Sequence, residues 1–100
     1  MDERIYTSHM RFTWNEEKRL RNRRVHGLDF ADAHKVFADG GLCFEDDRFI
    51  YSEQRFVTLG LLDGTPVAVV HTETEEGIHV ISFRKATRRE TAILFATFAQ

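Results

Sequence analysis

The sequence predicts an α+β domain: an antiparallel β-sheet with two N-terminal helices and a C-terminal helix, in the order β-α-α-β-β-β-α. Three observations carry that expectation. From Arg55 to Arg84 the chain is rich in β-branched and aromatic residues, cut only by Asp63-Gly64 and Glu75-Glu76-Gly77, so successive strands pair through tight turns. Ahead of that meander, Phe30, Ala33, Val36 and Phe37 recur at helical spacing. Behind it, Thr87 and Glu90 form a capping box that opens a further helix. Helices flanking a run of hairpin-linked strands are expected on one face of the sheet, leaving the other face open for a ligand or partner.

The elements follow in order. Residues 1–9 lack periodicity and read as a mobile extension, with a single domain over 10–100. Arg11 to Trp14 is a short strand. Asn15 caps a helix over 16–26, whose first turn holds Glu16 and Glu17 at the positive end of the dipole, and Gly27 closes it in the left-handed conformation. Asp29 caps a second helix over 30–38. Residues 42–52 are ambiguous, since Leu42-Cys43-Phe44 and Phe49-Ile50-Tyr51 both suit short strands around an acidic turn. Strands follow at 55–61, 67–72 and 78–84, the middle one so continuously apolar that it belongs at the centre of the sheet. Strict alternation in the last strand puts Ile78, Val80, Ser82 and Arg84 on one face, and His79, Ile81 and Phe83 on the other. A helix over 88–98 brings Ile93, Leu94, Phe95 and Phe98 as apolar area.

Composition narrows the chemistry. A chain of 100 residues is one small domain that buries about 60–70% of its unfolded surface. Net charge is −2, yet Lys18 to Arg24 carries five bases and no acid, while acids cluster at Glu45-Asp46-Asp47 and Glu73 to Glu76. Segregated charge of this kind is compatible with an anionic ligand. Cys43 is alone, which excludes an intrachain disulfide and a cysteine zinc cluster, and is expected to be a buried, inert thiol. His9, His26, His34, His71 and His79 show no ligand spacing beside carboxylates, so no metal or other cofactor is expected. No apolar run reaches 18 residues and no signal peptide is evident, which predicts a cytoplasmic protein without a membrane segment.

The junction of the last strand and helix is the most informative stretch. Val80-Ile81-Ser82-x-Arg84-Lys85-Ala86-Thr87-x-Arg89-Glu90 resembles the C-terminal signature of the BrnT toxin family. Two further blocks match in order: Trp14, Lys18, Asn22, His26-Gly27, Phe30, Ala33 and Phe37, then Glu53-Gln54-Arg55-Phe56 with Gly60. The resemblance implies a RelE/ParE-like fold and a bacterial endoribonuclease that works without metal. In that mechanism the RNA 2′-hydroxyl attacks the adjacent phosphodiester, and protein cations stabilise the transition state. It also implies slowed translation and neutralisation by a BrnA-like ribbon-helix-helix antitoxin, with operator DNA reached only through that antitoxin.

Carried onto this chain, the resemblance makes Arg84 the first choice for phosphate stabilisation, because a guanidinium fork binds two oxygens at once. The competing role is a salt bridge to Glu90 or Glu53. Arg55 converges on the same ligand if its strand neighbours that of Arg84, and is otherwise a solvated arginine. His79 stands where the family has arginine; it suits general acid–base catalysis, or a half-buried hydrogen bond. Lys85, Arg88 and Arg89 at the start of the last helix, with Lys18 from the first, are the candidate RNA phosphate contacts, against a reading as solvated surface. His26 is expected to bond local carbonyls, and Asn22 and Trp14 to support the core. Val25 replaces a family lysine and Leu94 a family tyrosine. Those departures set a rival beside the nuclease: a catalytically impaired module that binds antitoxin or nucleic acid without cleaving RNA. A gyrase-directed toxin on the same fold is a second rival.

Overall fold

The structure, a computed structural model, describes residues 10–38, 40–47 and 53–99. The expected extension at 1–9 and the possible strand at Phe49-Ile50-Tyr51 lie outside the described residues. Five strands form one sheet: β1 (Arg11–Trp14), β2 (Leu42–Glu45), β3 (Phe56–Leu62), β4 (Thr65–Thr74) and β5 (Gly77–Lys85). Their spatial order is β1-β5-β4-β3-β2. Helix α1 spans Glu16–His26, a 3₁₀ turn at Phe30–Asp32 leads into α2 (Ala33–Ala38), and α3 spans Arg88–Phe98.

Local signals act as their chemistry dictates. Asn15 Oδ1 accepts from Lys18 N at the start of α1, and Gly27 ends it at φ 72°. Asp63 and Gly64 both take positive φ, at 50° and 82°, which turns β3 into β4 with the twist the strands need. β4 is central and contributes buried Val67, Ala68, Val69 and Val70.

The antiparallel expectation is corrected at one edge. β1 runs parallel to β5, with Phe12 opposite Ile78 and Trp14 opposite Val80, so the sheet is mixed. Alternation records which face a side chain takes but not the direction of the strand, and no short turn links β1 to β5 to impose an antiparallel pair. Gly77 makes the pairing possible. Its φ is 148°, and a Cβ there would stand only 2.1 Å from the Arg11 carbonyl oxygen.

The helices also occupy both faces rather than one. The 3₁₀ turn and α2 bury Phe30, Ala33, Val36 and Phe37 against Val67, Val69, Ile78, Val80 and Phe83. Opposite, Leu94 of α3 packs on Val57, Leu59, Ala68 and Val70. Leu94 is the buried residue of that helix, while Ile93, Phe95 and Phe98 remain 39%, 48% and 51% exposed. Gly60 sits beneath α2, where a Cβ would lie 2.7 Å from Val36 Cγ1.

Candidate nucleic-acid site

A β-bulge in β5 determines what this site contains. Along the β4–β5 ladder, Val69 faces Phe83 and Val70 faces Ser82, but His71 faces Val80, so Ile81 is an extra residue. The extra residue shifts the alternation. Ile78, Val80 and Phe83 all enter the core beneath α2, while Ile81 packs toward the α3 side. Strict alternation would separate His79 from Arg84. Instead their ladder partners, Thr72 and Ala68, differ by an even number of residues on β4, so His79 and Arg84 share the α3-side face.

Beyond Trp14, β1 no longer borders β5, and α1 takes its place. The Asn22 amide donates to Phe83 O at 2.7 Å and to Leu28 O at 3.0 Å, and its Oδ1 accepts from Phe83 N at 3.2 Å. This fastens a strongly basic helix to the sheet edge at the bulge. Between them lies a cavity of about 260 Å³ lined by Lys18, Arg21, Asn22, Val25, His26 and Ile81. Two other cations of α1 are held locally. Arg19 grips Glu16 (Nε–Oε1 2.7 Å) and Asp29 (NH1–Oδ2 3.1 Å), while Arg23 Nε stands 3.8 Å from Asp29 Oδ2. Hydrogen bonding to Arg19 holds the Glu16 carboxyl down at about 2, and Asp29 is lowered chiefly by the Ala31 N–H and further by Arg19.

The anticipated residues are placed as follows. His79 is half-buried, and its Nδ1 shares a hydrogen bond with Thr13 Oγ1 at 2.9 Å. Arg84 makes a forked pair with Glu90, NH1–Oε1 at 2.7 Å and NH2–Oε2 at 3.0 Å, with its side chain 19% exposed. That pair, followed by the Thr87 N–H, holds the Glu90 carboxyl below its usual range despite partial burial. Glu90 thus serves the cap of α3 and the strand arginine together.

Arg55 is not brought to Arg84, since β4 lies between β3 and β5. Arg84 shares a row with Ala68 and Leu59, four residues along from Arg55. That is about 13 Å along the strand and two strand spacings, roughly 10 Å, across it. Lys85 faces Val67 and takes the opposite parity to Arg84. Arg88 and Arg89 are exposed in the first turn of α3, and Lys18 is exposed on the cavity wall.

Arg21 and His26 are additions that sequence reasoning did not select as ligand-facing. His26 is exposed and lines the cavity, rather than bonding local carbonyls as anticipated. The signal available for both was their i, i+4 and i+3 spacing around Asn22 and Lys18, legible only once Asn22 is known to face the sheet. A separate cluster was also missed. Cys43, His71 and Glu73 place potential ligand atoms within 4.8 Å of one another, and Cys43 is half-buried rather than buried.

Residues 14–90 match the family described as ribonuclease toxin, BrnT, of type II toxin–antitoxin system. The crystal structure of the Brucella abortus ribonuclease toxin BrnT is similar at a TM-score of 0.63 and 32% sequence identity, covering 79% of this chain and 99% of that one. No curated protein matches. The family match spans the basic helix, the meander, the bulged strand and the capped start of the last helix, and on that extent the chain belongs to the BrnT family of ribonuclease toxins of type II toxin–antitoxin systems.

Proposed function

We propose that this chain is an endoribonuclease toxin that cleaves RNA without a metal at the face formed by β5 and α1. The observation that carries the reading is the bulge at Ile81, which puts His79 and Arg84 on one face beside the cavity of Lys18, Arg21 and His26. In the proposed reaction a ribose 2′-oxygen attacks the adjacent phosphorus as its proton is removed. A new O–P bond forms, the P–O5′ bond breaks, and the leaving 5′-oxygen is protonated, giving a 2′,3′-cyclic phosphate and a 5′-hydroxyl. His79 is the proton-transfer group, using Nε2 while Thr13 holds Nδ1 and fixes the ring. Arg84, four ladder rows and about 13 Å along the strand from His79, reaches in from the opposite side to stabilise the phosphorane-like charge, and Lys18, Arg21 and His26 hold flanking phosphates. Arg88 and Arg89 extend the basic surface at the other end of the strand, while Lys85 faces the opposite side and serves at most a phosphate that passes the strand end. Arg55 supports binding at a distance rather than the reacting phosphate.

The toxin acts in the cytoplasm, slows translation by degrading RNA, and is neutralised by a BrnA-like ribbon-helix-helix antitoxin that covers the basic face. It reaches operator DNA only through that antitoxin. Two features favour the catalytically impaired module as the second reading: the guanidinium fork of Arg84 is engaged by Glu90, and the 67% exposed Val25 lines the cavity at the position where the family resemblance implies a lysine.

The test is cleavage of end-labelled RNA by purified, antitoxin-free protein in EDTA, with folding monitored by circular dichroism. The nuclease reading expects cyclic phosphate ends, a loss of at least 100-fold in His79→Ala, and a comparable loss in Arg84→Lys. Intact RNA from folded wild-type protein establishes the binding-module reading instead.

A further inference from the structure

We propose that Cys43, His71 and Glu73 form a zinc-class divalent cation site on the sheet face opposite the RNA site. Its three donors are a sulfur, an imidazole nitrogen and a carboxylate oxygen, all within 4.8 Å of one another. Tetrahedral zinc, with bonds of about 2.0–2.3 Å, holds its ligand atoms roughly 3.3–3.8 Å apart. Closing the cluster therefore asks for adjustments of about 1 Å, within reach of the half-buried Glu73 and Cys43 side chains. A mixed sulfur, nitrogen and oxygen set selects zinc over magnesium or calcium, which take oxygen ligands.

The fold builds this set from sequence-distant parts. His71 and Glu73 are two residues apart on β4 and share a face; Cys43 comes from the edge strand β2, paired with Thr58 of β3. His71 is fully buried and rigidly held, with Nε2 sharing a 2.8 Å hydrogen bond with Thr58 Oγ1. Phe56 stacks on the ring at 5.9 Å and Phe37 meets it edge-on at 5.1 Å. A hydrogen bond to the far imidazole nitrogen is the usual support of a histidine ligand. With Nε2 so engaged, the metal takes Nδ1. A cavity of about 450 Å³ lined by Gln54, Phe56, Glu73, Thr74 and Glu75 borders the cluster at its Glu73 ligand and has acidic walls. On binding, the Cys43 thiol proton passes to solvent, and the ion ties the edge strand β2 to the central strand β4. The site is independent of the proposed RNA chemistry and takes no part in it.

Calorimetric titration of the full chain, stripped with chelator and dialysed, tests this with Zn²⁺ alone. One equivalent is expected to bind and to raise the melting temperature, with affinity lowered at least 100-fold in Cys43→Ala and about tenfold in Thr58→Val. Co²⁺ in place of Zn²⁺ is expected to give a thiolate charge-transfer band that is missing in Cys43→Ala. Less than one equivalent bound by folded wild-type protein, or equal affinity in Cys43→Ala, overturns the proposal. Cys43 is half-buried on a short edge strand, so its truncation leaves the fold intact for the comparison.

Discussion

Asn22 is the residue on which the site depends without lining it as a cation. It lies on a helix with five bases between Lys18 and Arg24, yet it is 7% exposed and saturates both backbone groups of Phe83. Where β1 ends, its side-chain amide completes the hydrogen bonding that a sixth backbone segment would otherwise supply. Asn22→Ala would leave a buried N–H and a buried C=O unsatisfied, at about 1–3 kcal/mol each. Urea unfolding should therefore show the midpoint lowered by that energy divided by the slope, with the slope itself unchanged, and RNA binding should weaken because α1 is no longer fastened at the bulge. The residue was legible in the sequence as core-supporting, but its partner lies 61 positions away, and no local pattern specifies that bond. His79 was legible in the same limited way. Its type signals proton transfer; its face depends on a bulge that its own strand does not announce.

At the scale of elements, the helices and the hairpin were legible because their ends carry their own chemistry. Asn15, Gly27, Thr87 with Glu90, and Asp63-Gly64 each satisfy a local geometric demand, and α1 and α3 fall at 16–26 and 88–98 as the caps predict. What alternation could not show was the parallel β1, the phase slip at Ile81 and the placement of α3 on the second face. Each is decided by contacts distant in sequence. The α3 cap leads to a prediction with a definite sign. Glu90 has a folded pKa below its ordinary 4.5, so its stabilisation is complete above about pH 4.5 and is lost as pH falls through the folded value. Glu90→Gln should cost about 1–2 kcal/mol at pH 7, by weakening the pair with Arg84 and the reciprocal cap. Melting temperatures followed from pH 7 to 3 should show the gap between wild type and variant narrowing below pH 4.5. The wild-type acid limb will persist in part, since Glu16 and Asp29 are lowered in the same direction by Arg19 and neighbouring groups. A gap that stays constant across that range would mean Glu90 acts through packing and not through its charge.

For the whole molecule, a net charge of −2 conceals a division of labour. Arg19 and Arg23 are committed to Asp29, and Arg84 to Glu90, so much of the apparent basic surface is internally neutralised. The cations of the α1 cavity, Lys18 and Arg21, remain directed at whatever enters it, and Val25 is the apolar residue on the same wall. Being 67% exposed, Val25 contributes little packing, and Val25→Lys should alter stability by less than about 0.5 kcal/mol. Its effect belongs to the ligand. Each phosphate neutralised on a single strand steepens the dependence of log K on log salt by about 0.7. Fluorescence anisotropy with a short single-stranded RNA across a salt series should therefore show Val25→Lys binding more tightly at low salt, with the slope steeper by about that amount. An unchanged slope would place the RNA backbone away from the α1 cavity and return attention to Arg88 and Arg89. If cleavage also rises in the variant while the wild type only binds, a cation at position 25 is what this chain lacks for cleavage. Tighter binding with no gain in cleavage would instead point to the engagement of Arg84 by Glu90 as the step that holds catalysis back.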